Sequence, residues 1–360
     1  MKIAILGTRG IPNQYGGFEQ MAMYLSSGLR ARGHEVYVYC SKAHVYREKT
    51  WKGINLIHKY DPEKKVGTAG QFIYDLYCIA DSRKRNFDVI LNLGYTSSAI
   101  WMGLFKKSAR IVTNMDGLEW KRTKYSRLVQ LFLKYSERLA VSKSDTLVAD
   151  SRAIQQYLKD KYSVQSHFVA YGAEIVTRAE VQILDNFDIR PAGYDLLIAR
   201  MEPENNIEII LQGKMRSSDR APIVVVGNTA NRYGTKLRAL FKNEPRIKFT
   251  GPVYDQASVD SLRFYSRLYF HGHSVGGTNP SLLEAMGSGC VIAAHDNIFN
   301  RSVLSGDALY FSQAEDVAAI MDRAVTSGLD EMRSVNRDKI RTSYSWPFIV
   351  SEYEKILAES

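Results

Sequence analysis

The chain has 360 residues, 45% of them hydrophobic and 24% charged, with a formal net charge of +10. That is enough apolar material for two ordinary domains with real cores, and it excludes a disordered chain. Three cysteines without metal-type spacing (Cys40, Cys78, Cys290) argue against a disulfide framework and for a reducing compartment.

The opening Met-Lys-Ile-Ala-Ile-Leu-Gly reads as a first strand, since its apolar run is too short for a signal peptide. No stretch reaches the length of a transmembrane helix, so a cytoplasmic protein, soluble or peripheral at the inner face of a membrane, is expected. Strand-like runs follow at 3–6, 36–39, 54–57, 89–91, 111–113 and 146–149. Between the first two, Phe18, Met21, Ala22, Leu25 and Leu29 recur at helical spacing until Gly33. A second series of runs lies at 196–199, 223–226, 247–249, 268–270, 291–294 and 309–311, separated by helical stretches such as 207–215 and 314–325. This alternation predicts an α/β fold of two Rossmann-like, doubly wound parallel-sheet domains. The first is expected over 1–172 and the second over 195–345, with Pro191-Ala192-Gly193 at the break. A last helix, about 346–360 beginning at Trp346-Pro347, is expected to pack back on the first domain.

Charge is uneven. Residues 1–172 hold 27 Lys/Arg against 14 Asp/Glu, a net of +13, while 173–360 hold 21 against 24, a net of −3. The first half should therefore meet something anionic, with an acidic membrane surface, a lipid-linked phosphate or a nucleic acid as candidates and plain solvation as the alternative.

The loop Gly7-Thr-Arg9-Gly10-Ile-Pro-Asn-Gln-Tyr15-Gly16-Gly17-Phe-Glu19 joins the first strand to the first helix. It is neither a GxGxxG fingerprint nor a Walker loop. Gly16-Gly17 at the helix start, with Arg9 and Tyr15 nearby, suits backbone contact with a phosphate or sugar; a flexible connection is the alternative. Next, Thr113-Asn-Met-Asp116-Gly-Leu-Glu119-Trp-Lys-Arg122 places two carboxylates, an aromatic and two cations after a strand. Asp116 can orient or deprotonate a hydroxyl, or simply form an Asp-Gly turn.

In the helical stretch 125–143, Tyr125, Leu128, Leu131, Phe132, Tyr135 and Leu139 share a face, accompanied by Lys124, Arg127, Lys134, Arg138 and Lys143. Burial of that face is the expectation and a membrane surface the alternative. Asp150-Ser151 ends a strand as a helix cap or a cleft residue. In the second half, Arg200 leaves a strand within Ala199-Arg-Met-Glu-Pro-Glu-Asn-Asn206, where a guanidinium can clamp a diphosphate or pair with Glu202 or Glu204. Thr250-Gly-Pro-Val-Tyr254 can offer an aromatic face to a base, or be a plain turn.

The richest stretch is His273-Ser-Val-Gly276-Gly277-Thr278-Asn279-Pro-Ser-Leu-Leu-Glu284-Ala-Met286. Asn279 is placed as the N-cap and Pro280 as the first helical residue. The glycines bare the backbone, the helix start can hold a phosphate, and Glu284 can accept hydrogen bonds from sugar hydroxyls or merely favour the helix dipole. The seven dispersed histidines form no ligand pair and no Gly-x-Ser-x-Gly elbow occurs, so neither a metal site nor a serine nucleophile is expected.

Together these segments resemble the GT-B glycosyltransferases, in particular the large retaining group often called group 1 or family 4, and within it the branch of capsule and cell-wall rhamnosyltransferases. The resemblance covers almost the whole chain and implies two domains facing across a cleft. It implies that Glu284 holds the donor ribose, Arg200 the donor diphosphate, and Gly16 and Gly17 the donor phosphates or sugar, with Asp116 on the acceptor side, where Glu119 and Asp150 join it. The chain departs from the family at Gly276, where a glutamate is usual, and at Asn205, where a lysine is usual. Gly277, Thr278 and Asn279 can substitute for the first and Arg9 for the second. The implied activity is transfer of a sugar, rhamnose from a dTDP- or UDP-type donor, to a lipid-linked or polysaccharide acceptor in bacterial surface polysaccharide synthesis. No cofactor, metal or nucleic acid is implied, and an anionic membrane surface is an expected partner. A nucleotide-sugar epimerase of the same fold and an anionic-polymer binding module are the rival readings.

Overall fold

The structure, a computed structural model, describes residues 1–14, 16–122, 125–323 and 329–359. Tyr15, Lys124 and the end of the helix expected over 314–325 lie outside them. The chain divides into two compact units, Met1–Tyr171 with Trp346–Ser360, and Gly172–Ser345.

The first unit carries strands β1 (Lys2–Leu6), β2 (Glu35–Ser41), β3 (Thr50–Trp51), β4 (Ile54–Lys59), β5 (Val89–Leu93), β6 (Arg110–Asn114), β7 (Thr146–Ala149) and β8 (His167–Phe168). They form one sheet in the order β3-β4-β2-β1-β5-β6-β7-β8, parallel throughout except for β3 against β4. All of β5 is buried, as parallel strands covered on both faces must be. The covering helices are α1 (Gly17–Ala31), the short α2 (Glu63–Val66), α3 (Gly70–Ser82), α4 (Arg127–Lys143) and α5 (Arg152–Tyr162). Helix α1 buries Met21, Ala22, Leu25 and Leu29, the stripe read from its spacing.

Helix α4 turns the other way from expectation. It buries Leu133, Ser136, Glu137 and Ala140, and leaves Leu128 79%, Leu131 61% and Tyr135 55% exposed. The reason is Glu137, whose carboxylate accepts from Tyr157 Oη (2.7 Å), Tyr162 Oη (2.7 Å), Lys161 Nζ (2.8 Å), Trp120 Nε1 (3.1 Å) and Tyr95 Oη (3.4 Å). A carboxylate 1% exposed is tolerable only when so many donors replace its water. That network decides which face of α4 points inward.

The second unit carries β9 (Asp195–Ile198), β10 (Ile223–Val226), β11 (Ile247–Gly251), β12 (Leu268–His271), β13 (Ile292–His295) and β14 (Leu309–Phe311). They form a parallel sheet in the order β11-β10-β9-β12-β13-β14. Its helices are α6 (Ile207–Arg216), α7 (Arg232–Leu240), α8 (Gln256–Phe264), α9 (Pro280–Gly287), α10 (Ile298–Leu304), α11 (Ala314–Asp322) and α12 (Leu329–Ser343). Leu197, Val225, Phe270, Ile210 and Val317 meet in one of its cores. The chain then returns to the first unit as α13 (Trp346–Ala358), where Trp346 stacks on Tyr24 at 4.2 Å and Val350 packs on Gly28 of α1.

Each sheet reverses its winding beside its first strand, between β1 and β5 and between β9 and β12. In such sheets the crevice outside the strands' carboxyl ends at the reversal is where ligands bind.

Candidate active site

At the reversal in the second unit, the loop after β9 meets the loop after β12. Asn206 Nδ2 donates to the Gly272 carbonyl at 2.7 Å, and Ser274 donates to the Glu204 carbonyl through its N–H (3.0 Å) and Oγ (2.8 Å). A Cβ on Gly272 would stand 2.0 Å from the Asn205 carbonyl oxygen, so only glycine permits this approach. Asn297, the cap of α10, and Asn300 within it each donate to the His273 carbonyl at 3.0 Å. The loops are therefore one bonded piece.

Arg200 emerges from this piece, exposed, and no carboxylate among the described residues forms an ion pair with it. The pairing with Glu202 or Glu204 left open by the sequence does not form. Asn205 corrects an expectation. It is 3% exposed, and its Nδ2 donates to the Arg200 carbonyl at 2.7 Å, so it positions Arg200 rather than presenting itself to a ligand.

Asn279 caps α9 as its position suggests, with Oδ1 accepting from the Ser281 N–H at 2.9 Å and Pro280 opening the helix. The Asn279 side-chain oxygen is thereby engaged in the cap. Before it, Gly276 has φ +129° with open space on its Cβ side, and Thr278 is buried. Gly276 and Gly277 thus leave main chain accessible beside a helix start.

Glu284 lies in the second turn of α9, its Oε2 2.6 Å from Nη2 of Arg263. The Arg263 side chain is 2% exposed and that of Glu284 20% exposed. Burial pulls the Arg263 pKa down, but Glu284, with smaller help from its other neighbours, leaves the guanidinium above the usual arginine range. Arg263 Nη2 also donates to Ser281 Oγ at 3.0 Å, and that oxygen is 2.7 Å from the Tyr269 hydroxyl. The carboxylate is fixed from beneath by a buried cation that no local pattern announced.

His271, at the end of β12, was also unforeseen as a buried group. Burial first, then His273 and Arg263, hold its pKa well below the usual histidine value, and its ring stacks on His273 at 4.5 Å. Tyr254 is 64% exposed after β11, two strands from the reversal. A cavity of about 530 Å³ opens nearer to it, lined by Asn228, Thr229, Arg238 and Pro252.

The first unit's edge is different. The Arg9 N–H donates to Glu19 Oε1 at 2.8 Å, while its guanidinium lies 2.6 Å from Glu63 and 3.9 Å from Asp61. Arg9 therefore does not stand in for the missing lysine, because local carboxylates already neutralise it. Gly16 has φ +130°, and a Cβ there would be 2.1 Å from Glu19 Oε2. The start of α1, at Gly17, is thus occupied by a carboxylate. A phosphate at Gly16 and Gly17 would meet like charge, so this loop suits hydroxyls rather than phosphates.

Asp116 follows β6 in a left-handed turn, φ +45°, its N–H donating to Asn114 Oδ1 at 2.8 Å, with Gly117 next. Asn114 Nδ2 in turn donates to the Tyr353 hydroxyl of α13 at 2.8 Å. Asp150 is 1% exposed at the end of β7, and the cap of α5 is its neighbour Ser151, whose Oγ accepts from the Ile154 N–H at 3.2 Å. Burial, then the carboxylates of Asp116 and Asp150, push the Tyr171 hydroxyl well above its usual pKa, and Glu19 adds to the effect. Asp116, Asp150 and Glu19 thus act through their charge on one buried phenol. Glu119 pairs with Arg122 at 2.7 Å, both side chains 14% exposed.

A family described as a domain of unknown function, DUF1972, matches residues 1–174. O-antigen chain mannosyltransferase C of Escherichia coli is 22% identical over 280 residues, 73% of this chain and 70% of that protein. Among solved structures, sucrose-phosphate synthase from Thermosynechococcus elongatus superposes with TM-score 0.80 at 14% identity, covering 99% of this chain and 98% of that one. OtsA in its apo form gives 0.78 at 12% identity, covering all of both chains. Anabaena Alr3699/HepE in complex with UDP gives 0.76 at 13%, covering 99% of this chain and all of that one. At these identities what is shared is architecture: the chain has the GT-B fold, two parallel-sheet α/β domains matched along its full length.

Proposed function

We propose that the chain is a retaining, nucleotide-sugar-dependent glycosyltransferase of surface polysaccharide synthesis. The donor is a dTDP- or UDP-sugar, rhamnose from dTDP-rhamnose first, and the acceptor is a lipid-linked or polysaccharide saccharide. The observation that carries this reading is that the reversal between β9 and β12 carries both an exposed Arg200 without an ion-pair partner among the described residues, on the loop bonded to the one after β12, and an anchored Glu284 on the helix that follows. Diphosphate and ribose of one ligand need that combination. Structures of this fold in complex with UDP and with UDP-glucose support the donor class.

Arg200 binds the diphosphate and stabilises the charge that grows on it as it leaves. Glu284 accepts from the ribose hydroxyls, and the Gly276–Thr278 main chain lies along the sugar. Asp116 orients the acceptor hydroxyl. The bond from the sugar's anomeric carbon to the phosphate oxygen breaks, the acceptor oxygen bonds to that carbon on the same face, and its proton passes to the departing diphosphate. No protein nucleophile is required.

A second donor, GDP-mannose, is favoured by the likeness to an O-antigen mannosyltransferase. Thermal shift with dTDP, UDP and GDP, followed by nucleotide release from dTDP-rhamnose, UDP-glucose and GDP-mannose with a lipid-linked acceptor, separates these. Stabilisation by dTDP, transfer of rhamnose and a product anomer matching the donor are expected. Failure of all three nucleotides to stabilise the protein sinks the reading.

A further inference from the structure

We propose that the first unit docks on an anionic lipid bilayer through the exposed face of α4. This deepens the preceding reading, on whose lipid-linked acceptor its purpose rests. Leu128, Leu131 and Tyr135 recur three and four residues apart and so share one stripe of the helix. They are 79%, 61% and 55% exposed, with Val129 a further 40%. Single exposed apolar residues are ordinary, but a stripe of them on one helix needs an occupant.

The charge on the helix says which occupant. Arg127, Lys134 and Arg138 are all exposed, and none pairs with a carboxylate among the described residues. The one acid of α4, Glu137, points inward and is satisfied by its five donors. The helix therefore shows apolar groups and cations to solvent and no anion. Lys134, with Lys121 and Lys161, also surrounds the half-buried Trp120, their ammonium groups 4.4, 5.6 and 5.5 Å from its ring. Apolar side chains enter the acyl boundary, cations meet lipid phosphates, and an indole favours the interface between them. Trp120 belongs to the loop that carries Asp116, so docking brings that loop to the headgroups, where a lipid-linked acceptor presents its saccharide.

The test is flotation of the full chain with vesicles of phosphatidylcholine alone and of phosphatidylcholine with phosphatidylglycerol. Wild type is expected to float with the anionic vesicles, weakly with the neutral ones, and less as salt rises. Leu128→Ser/Leu131→Ser/Tyr135→Ser should lose about tenfold or more in vesicle affinity with an unchanged circular dichroism spectrum. Lys134→Glu/Arg138→Glu should lose about tenfold on anionic vesicles and little on neutral ones. Wild type that never floats, or a triple-serine protein that floats like wild type, overturns the proposal. So does a wild-type dimer that the triple substitution splits, because the stripe would then be covered by a second copy. Nucleotide thermal shift on the same proteins keeps the two readings apart. Wild type that binds nucleotide but never floats removes only the docking surface, and wild type that floats without binding nucleotide removes only the enzyme.

Discussion

Arg200 and Arg9 stand at matching places, each just past the carboxyl end of the first strand of its sheet, and they do opposite things. Arg9 is neutralised by Glu63 and Asp61 and lowers the pKa of the nearby Asp75. Arg200 forms no ion pair with a carboxylate among the described residues, and the Asn205 side chain holds its main-chain carbonyl. One sheet edge therefore offers uncompensated positive charge, while the other gathers Glu19, Asp116 and Asp150. On the proposed function, a phosphate-bearing donor would bind at the first and a hydroxyl-bearing acceptor at the second. Two sheets with the same winding thus differ in charge through where their carboxylates fall.

The widest consequence concerns Glu284. Its replacement by Ala should destabilise the second unit by about 3–5 kcal/mol, read by urea titration, because the buried Arg263 loses its counter-charge. Adding Arg263→Met should restore most of that stability without restoring nucleotide binding. If the double variant regains binding, Glu284 is only structural. Next, Arg200→Ala should lower kcat by about a hundredfold to a thousandfold with an unchanged melt. Undiminished turnover would erase the contrast between the two arginines.

A smaller effect is expected at Asp75, in α3. Burial pushes its pKa up to about 6, against the lowering influence of the Ser97 hydroxyl, which donates to it at 2.6 Å, and of Arg9. A carboxyl whose pKa is raised on folding favours the folded state fully at low pH and loses that contribution as pH climbs through about 6. Asp75→Asn should therefore stabilise the first unit at pH 7 by about 1–3 kcal/mol, with the gain gone below about pH 4. A gain that is the same at both pH values would refute the assignment. Smallest of all, Arg9→Ala should change kcat by about threefold or less, since its partly exposed ion pair is worth little.

The strands were legible where buried parallel pairing demands continuous apolar runs. Ile223–Val226, Thr146–Ala149 and Leu309–Phe311 coincide residue for residue with their expected spans. The two-residue strands β3 and β8 were not, because pairing across the sheet and not composition makes them strands. The Asn279 cap was readable, being local chemistry. The anchor Arg263 was not, because it reaches Glu284 only through a side-chain contact from α8 to α9, 21 residues apart in sequence. The carboxylates paired with the Arg9 guanidinium lie more than 50 residues away. Helix α4 misled for a related reason. Its hydrophobic stripe was real, but one carboxylate with five distant donors outweighed it in choosing the inward face.

Because the first unit is completed by α13, a stop codon just before Trp346 would do damage far from the deletion. It would strip Tyr353 from Asn114, and with it the tether beneath the turn that presents Asp116. It would also leave Gly28 and Tyr24 of α1 facing water. Even a short truncation into α13 should therefore destabilise the first unit.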